Sequence, residues 1–242
     1  MPEYDPLTVF ASLFAALVHD LDHSGLTNSI LVDRKAHLAE IYNFKSPLEQ
    51  NSIDLAWEIL LQEQFADLQA CIFSTASERK LFRQVLVNLV LGTDIFGPLD
   101  QTNRWEKAFL RVHNQSSDAD ESVVLASNRK KTIILELLMQ ASDIAHTMQH
   151  FQVYSKWNAN LFEETYAAYK SGSCTKDPTN GWYKGELWFF DNIVIPLAKR
   201  LLDCGAFGHA ANDCLENAFS NRNQWKQCGE QLVLDMLEPR RL

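Results

Sequence analysis

The apolar residues of this chain recur at a helical period almost from end to end, and no stretch reads as strand, turn and strand. Leu81, Phe82, Val85, Leu86, Leu89 and Val90 fall at i, i+1, i+4, i+5, i+8 and i+9, one broad helical face that has to be buried. Ile133, Ile134, Leu137, Leu138 and Ala141 repeat the pattern, as do Phe189, Phe190, Ile193, Val194 and Leu197. Thr75 with Glu78 three residues on reads as a capping box that opens one helix. Ser46-Pro47-Leu48-Glu49 reads as another, with proline at the first helical position, where no donor is lost. Loops are expected near 96–104, 113–121 and 171–184, the last rich in Ser, Gly, Asp, Pro and Asn. No repeat or low-complexity linker divides the 242 residues. The expectation is a single all-α domain over 1–242, a compact multi-helix body.

Composition narrows the partners. Apolar residues make up 46% of the chain, enough for a substantial core. The net charge is -9, and no run of Lys and Arg interleaves with aromatic residues, so a nucleic-acid groove is not expected. The five cysteines are odd in number and widely spaced, without a C-x-x-C pair. That pattern points to reduced thiols in an intracellular setting, not to a disulfide framework or a zinc clip. The apolar stretch Val9–Val18 is too short to span a bilayer and has no basic leader, so this segment is not expected to insert into a membrane.

Against that helical background one stretch carries chemistry. In "FAALVHDLDHSGLTNSILVD", residues 14–33, an apolar helical run ends in His19-Asp20, with His23, Gly25 and Asn28 close behind. Adjacent helical side chains point about 100° apart, but the two converge on one cation if the helix ends there, and Gly25 suggests that it does. Imidazole nitrogen suits zinc, and carboxylate suits zinc and magnesium alike. A carboxylate that bridges two ions would place them for activating water and clamping a phosphoryl displacement. One His-Asp pair cannot hold two metals. The best remote candidate is Asp143 in "LLMQASDIAHTMQH", which closes an apolar helix and is followed by His146 and His150. An isolated His-Asp pair is structural more often than catalytic, and Asp143 read alone is equally a surface acid on a polar face.

These blocks together resemble the class I 3′,5′-cyclic-nucleotide phosphodiesterase catalytic domain. "ASLFAALVHDLDHSGLTNSIL" carries the family's apolar lead-in and its H-D-x-D-H-x-G-x-x-N core. "SPLEQNSIDLAWEIL", "LVLGTDI", "MQASDIAH", "YSKWNANLFEE" and "GELWFFDNIVIPLAKRL" follow in the family's order and cover nearly the whole chain. The segment "FFDNIVIPLAKRLLDCGAFG" also looks like phosphodiesterase domains fused to nucleotide cyclases in protists and algae. The resemblance implies hydrolysis of cyclic AMP, cyclic GMP or both to 5′-monophosphates in signal transduction. It implies two divalent ions, one zinc-like and one like magnesium or manganese. His19, Asp20 and Asp143 would be ligands, with Asp20 touching both ions. His23, Glu49, Thr93 and Asp94 would hold metal waters and orient the ligands. Phe189 would stack on the base, although ordinary core burial explains its periodicity as well. Glu186 and His146 would face the base edge. The setting implied is intracellular, on the cytosolic face of a membrane if a cyclase belongs to the same protein.

The chain also departs from that pattern. The family's His-Asn-x-x-His block, with one metal ligand and the histidine that protonates the leaving oxygen, precedes the His-Asp motif. Here His19 is the first histidine, so the expectation is a domain without its N-terminal helices. Glu186 stands for the family's glutamine and His146 for its asparagine, and Glu-Asn-His-His has become Glu49-Gln50-Asn51-Ser52. Two other functions fit the residues. One is a catalytically incomplete domain that binds nucleotide or regulates a fused cyclase. The other is a broader metal phosphohydrolase acting on nucleotides or polyphosphates.

Overall fold

The computed structural model describes residues 4–96, 120–205 and 207–238. In chain order the helices are α1 (Pro6–Val18), α2 (Asn28–Asp33), α3 (His37–Ile41), α4 (Pro47–Leu60), α5 (Ala66–Ile72), α6 (Ala76–Leu91), α7 (Asp120–Asp143), α8 (Phe151–Lys170), α9 (Trp182–Phe189), α10 (Ile195–Cys204) and α11 (Ala210–Leu237). No strand occurs among the described residues, so the fold is all-α, as the period requires. The loop expected at 171–184 closes earlier, where α9 begins. Residues 97–104 and 113–119 of the other two lie outside the described residues, and residues 120–121 are helical. No described helix is long and apolar enough to cross a membrane. The contacts divide the chain into two compact units.

The first unit holds residues 1–23 and 31–140. Asp5 caps α1: its carboxylate accepts from the Thr8 amide at 2.8 Å and the Thr8 hydroxyl at 2.6 Å, with Pro6 in the first turn. Ala11 and Ala15 are fully buried, which lets α1 lie close against α6. Phe82 of α6 fills the space between them and packs on Phe14 and Phe73 at 5.6 and 5.8 Å. Burying one such ring contributes about 1.5–3 kcal/mol. The capping box at α6 forms as expected, the Glu78 amide donating to Thr75 and the Thr75 amide to Glu78. The one expected at α4 does not. Ser46 has φ 40°, in the left-handed region, and makes no side-chain cap. Asn43 and Phe44 before it also have positive φ, and this tight turn carries the Ser46 hydroxyl away from the amides it would cap. Pro47 does open the helix.

The second unit holds residues 24–30 and 141–242. Its longest helix, α11, supplies the fully buried Trp225, which meets Tyr154 edge-on at 5.8 Å and donates its indole N–H to the Tyr183 carbonyl at 3.1 Å. Gly229 is required here, because a Cβ would lie 2.8 Å from the Trp225 ring and 2.9 Å from Tyr183. Asn221, also fully buried, donates to the Thr147 and Gln149 carbonyls at 2.9 and 2.7 Å and closes the turn after α7. Between α9 and α10 the backbone widens into a π-helical turn, Phe190–Val194. Pro196 has no amide hydrogen to give the preceding turn, and the wider spacing makes room for its ring.

Candidate functional site

In the first unit, α1 stops at Val18, well before Gly25, and His19 and Asp20 sit in the turn that follows. The His23 amide donates to the Asp20 carbonyl at 3.0 Å, and Asp22 takes φ 62° to turn the chain. Helix α4 holds this turn from the side: the Ser52 hydroxyl donates to the Leu21 carbonyl at 2.8 Å, and the Asn51 amide to the Asp22 carboxylate at 3.3 Å. His19 Nδ1 lies 3.0 Å from the Ala16 carbonyl, and Nε2 lies 3.3 Å from Asp20 Oδ2. As imidazolium, His19 donates to Asp20, and that hydrogen bond holds the Asp20 carboxyl below its usual range, with a smaller contribution from His23. As neutral imidazole with its proton toward Ala16, His19 presents a lone pair beside a carboxylate. Two such donors side by side fit a divalent cation.

The other first-unit candidates lie at helix ends. Glu49 is half-buried in the first turn of α4. Thr93 and Asp94 follow α6, both partly buried, and the Thr93 hydroxyl donates to the Val90 carbonyl at 2.8 Å. The buried Gln140 of α7 donates to the Gly92 carbonyl at 2.7 Å and fastens this end of α6. His23 is exposed.

In the second unit, Asp143 is the last residue of α7 and is exposed. An exposed carboxylate at a helix end is chemically suited to a divalent cation. His146 follows in a short 3₁₀ turn, its ring 6.3 Å from that of Trp157. Burial pushes the His146 imidazole below its usual pKa, with Asp143 opposing. Glu186 on α9 accepts from the Tyr154 hydroxyl at 2.8 Å, and burial raises its carboxyl above the usual range. The two adjacent phenylalanines divide their roles. Phe190 is fully buried, and Phe189 remains only partly buried.

Chemistry of this kind in an all-α chain already narrows the family, and comparison with known proteins decides it. The family model described as 3′,5′-cyclic nucleotide phosphodiesterase matches residues 3–217. The chain belongs to that family. A 3′,5′-cyclic-AMP phosphodiesterase of Drosophila melanogaster, isoform F, is 30% identical over 233 residues, 92% of this chain and 34% of the relative. A probable 3′,5′-cyclic-AMP phosphodiesterase of Caenorhabditis elegans is 29% identical over 161 residues, 66% of this chain and 23% of the relative. The chain thus spans about a third or less of these curated relatives. The phosphodiesterase domain of the RhoPDE fusion protein from the choanoflagellate Salpingoeca rosetta matches with a TM-score of 0.74 at 25% identity, over 94% of this chain and 71% of that one.

Within this phosphodiesterase fold, sequence reading missed two sets of residues. Asn51 and Ser52 look like plain losses of family histidines, yet they tether the His19–Asp22 turn. The available signal was Ser52, a polar residue on the i, i+4 row of Leu48, Ala56 and Leu60. Tyr154 donates to Glu186, and one turn further along α8 Asn158 accepts from the Trp182 indole. A partly buried acid needs partners, but nothing in the sequence said which ones.

Proposed function

We propose that this chain is the catalytic domain, over residues 1–242, of an enzyme that hydrolyses 3′,5′-cyclic AMP, cyclic GMP or both to the 5′-monophosphate. The observation that carries the reading is the His19–Asp20 pair, with Nε2 3.3 Å from Oδ2 in a turn tethered by α4, in a chain of the cyclic nucleotide phosphodiesterase family. His19, Asp20 and Asp143 would hold two divalent ions, one zinc-like and one like magnesium or manganese, with Asp20 shared. The chemistry such ions supply when bound is activation of water at neutral pH and neutralisation of charge on the phosphoryl oxygens. The protein residues bind and orient. Hydrogen bonding to Ala16 keeps His19 in the tautomer whose Nε2 is a ligand. His23, Glu49, Thr93 and Asp94 would order water and ligands around that centre. Phe189, Glu186 and His146 would receive the base, Phe189 by stacking on its face. The proposal places the protein inside the cell. It extends to a nucleotide cyclase in the same protein, on the likeness of "FFDNIVIPLAKRLLDCGAFG" to cyclase-fused phosphodiesterase domains.

The test is direct. The protein is incubated with cyclic AMP or cyclic GMP and with zinc, magnesium or manganese, and 5′-monophosphate is measured by chromatography. Metal-dependent product that a chelator abolishes supports the reading. Tight nucleotide binding without product would favour the non-catalytic regulatory module instead. Hydrolysis of polyphosphates or other nucleotides in preference to cyclic ones would favour the broader phosphohydrolase.

A further inference from the structure

The first unit holds a groove that the proposed chemistry does not use. It lies between α6 and α7, has a volume of about 450 Å³, and is bordered by the start of α1. At that border the Tyr4 hydroxyl donates to the Lys131 carbonyl at 3.2 Å, and Lys131 Nζ lies 5.9 Å from the Tyr4 ring. The two helices that wall the groove run in one direction. Gln140 of α7 meets Gly92 at the end of α6, while Asn128, nearer the start of α7, lines the groove together with Gln84 of α6.

Its side chains come in rows. Val85 and Leu89 of α6 and Leu135 of α7 make an apolar floor, Leu89 buried and the other two partly so. Gln84 and Asn88 make a polar row on α6, and Asn128 and Thr132 make one on α7. Among the described residues, no side-chain hydrogen bond engages the carboxamide of Gln84, Asn88 or Asn128. The Thr132 hydroxyl donates to the Asn128 carbonyl at 3.1 Å and keeps lone pairs with which to accept. Charges of α6 turn elsewhere: Glu78 caps the helix, and Arg79 and Arg83 each reach within 5.6 Å of the Trp57 ring on α4. The polar rows are therefore uncharged, and three of their four members are carboxamides that offer both donor and acceptor.

The spacing points to an occupant. Each polar row repeats at i and i+4, an axial rise of about 6 Å. An extended chain repeats every two residues, about 6.6–6.8 Å. Alternate residues of such a chain present N–H and C=O together on one edge, and the residues between present theirs on the other. A carboxamide returns one acceptor and a donor to each. One face of the same chain carries every second side chain, which matches the rise from Val85 to Leu89. A nucleic acid calls for a row of cations, not of amides. An amphipathic helix would use the apolar floor and leave the amides idle. We propose that the groove between α6 and α7 binds an extended peptide segment of a partner protein. Gln84, Asn88, Asn128 and Thr132 clamp its main chain, and its alternate apolar side chains rest on Val85, Leu89 and Leu135.

The experiment selects random heptapeptides displayed on phage against the 242-residue chain. Enriched sequences are then made as end-capped peptides and titrated into ¹⁵N-labelled protein. They should carry apolar residues at every second position, and the side-chain NH₂ resonances of Gln84, Asn88 and Asn128 should shift. Methylating the main-chain nitrogens of alternate peptide residues should weaken binding about tenfold. Gln84→Ala and Asn128→Ala should each weaken it about twofold to tenfold. Both residues are exposed on helices, where alanine is the best helix former, so thermal melts should show both variants folded. If no enriched peptide is weakened by either variant, the inference is overturned. Binding indifferent to main-chain methylation overturns it too, because contact through side chains alone needs no amide clamp. If the same NH₂ resonances shift with protein concentration and without peptide, a second copy of the chain fills the groove, and the assignment to a partner peptide falls.

Discussion

Asp20 and Glu186 are both acids to which the proposed function gives a ligand, and the chain sets them in opposite surroundings. Asp20 lies exposed in the turn after α1, where hydrogen bonding to adjacent His19 and the nearby charge of His23 hold its carboxyl down. That shift favours the ionised form, the one a cation would need. Glu186 is held among aromatic side chains, and burial pushes its carboxyl up. Its hydroxyl donor, Tyr154, is 32 residues away in sequence. The two environments shift the two carboxyls in opposite directions. The first site depends on neighbours along the chain and on two tethers from α4. The second depends on the packing of a whole core, so damage at a distance should reach it more easily.

The largest effect that could break this contrast is at Asp20. Asp20→Ala should abolish both metal binding and turnover. The loss should exceed the ~10–100-fold typical of residues that only orient ligands. Metal analysis and product chromatography check it, and full metal occupancy in the variant would remove Asp20 from the centre. Next in size, Trp225→Ala should destabilise the protein by about 3–5 kcal/mol in a denaturant titration, because it opens a cavity beside Tyr154 and leaves the Tyr183 carbonyl without its donor. A loss under about 1 kcal/mol would mean that the second unit relaxes into the space, and the contrast between a local and a core-dependent site would weaken.

Ser52→Ala sharpens the comparison from the other side. It removes one hydrogen bond to the Leu21 carbonyl, a stability change of about 0.5–1.5 kcal/mol. If that bond holds the ligand turn, metal affinity should drop more than stability does, and an unchanged affinity would show that the turn holds its own shape. The smallest effect belongs to the exposed Arg222–Asp191 pair, joined by two hydrogen bonds of 2.9 Å. Arg222→Ala should cost about 0–1 kcal/mol. The Arg222 hydrogen bond holds the Asp191 carboxyl below its ordinary value. The pair's stabilisation is therefore fully present above the unfolded aspartate pKa, about 3.9, and is lost as pH falls through the lower folded value. The advantage of wild type over the variant should shrink along that acid limb in thermal melts and stay constant above it.

Much of the fold was legible because helices are local. A period of apolar residues states which face must be buried, and Phe82, Leu86, Leu89 and Val90 are buried as their spacing demands. The Thr75–Glu78 cap was legible for the same reason, since both partners lie within one turn. So was the His19–Asp20 pair, adjacent in sequence and 3.3 Å apart in space. The same logic failed at Ser46, where three neighbouring left-handed residues, Asn43, Phe44 and Ser46 itself, override a motif that looks equally good on paper.

By itself, then, the sequence determined the helical class, where the chemistry begins, and the family to which its ordered blocks belong. Tertiary structure alone decided which of two adjacent phenylalanines is core, that Asn51 and Ser52 tether a turn, and that Glu186 accepts from Tyr154. The physical reason is range. Periodicity, caps and adjacent ligands arise between residues a turn or less apart, where backbone geometry sets the distance. Burial and the partners of a buried acid depend on what packs across from it, and helices distant in sequence bring that partner into place.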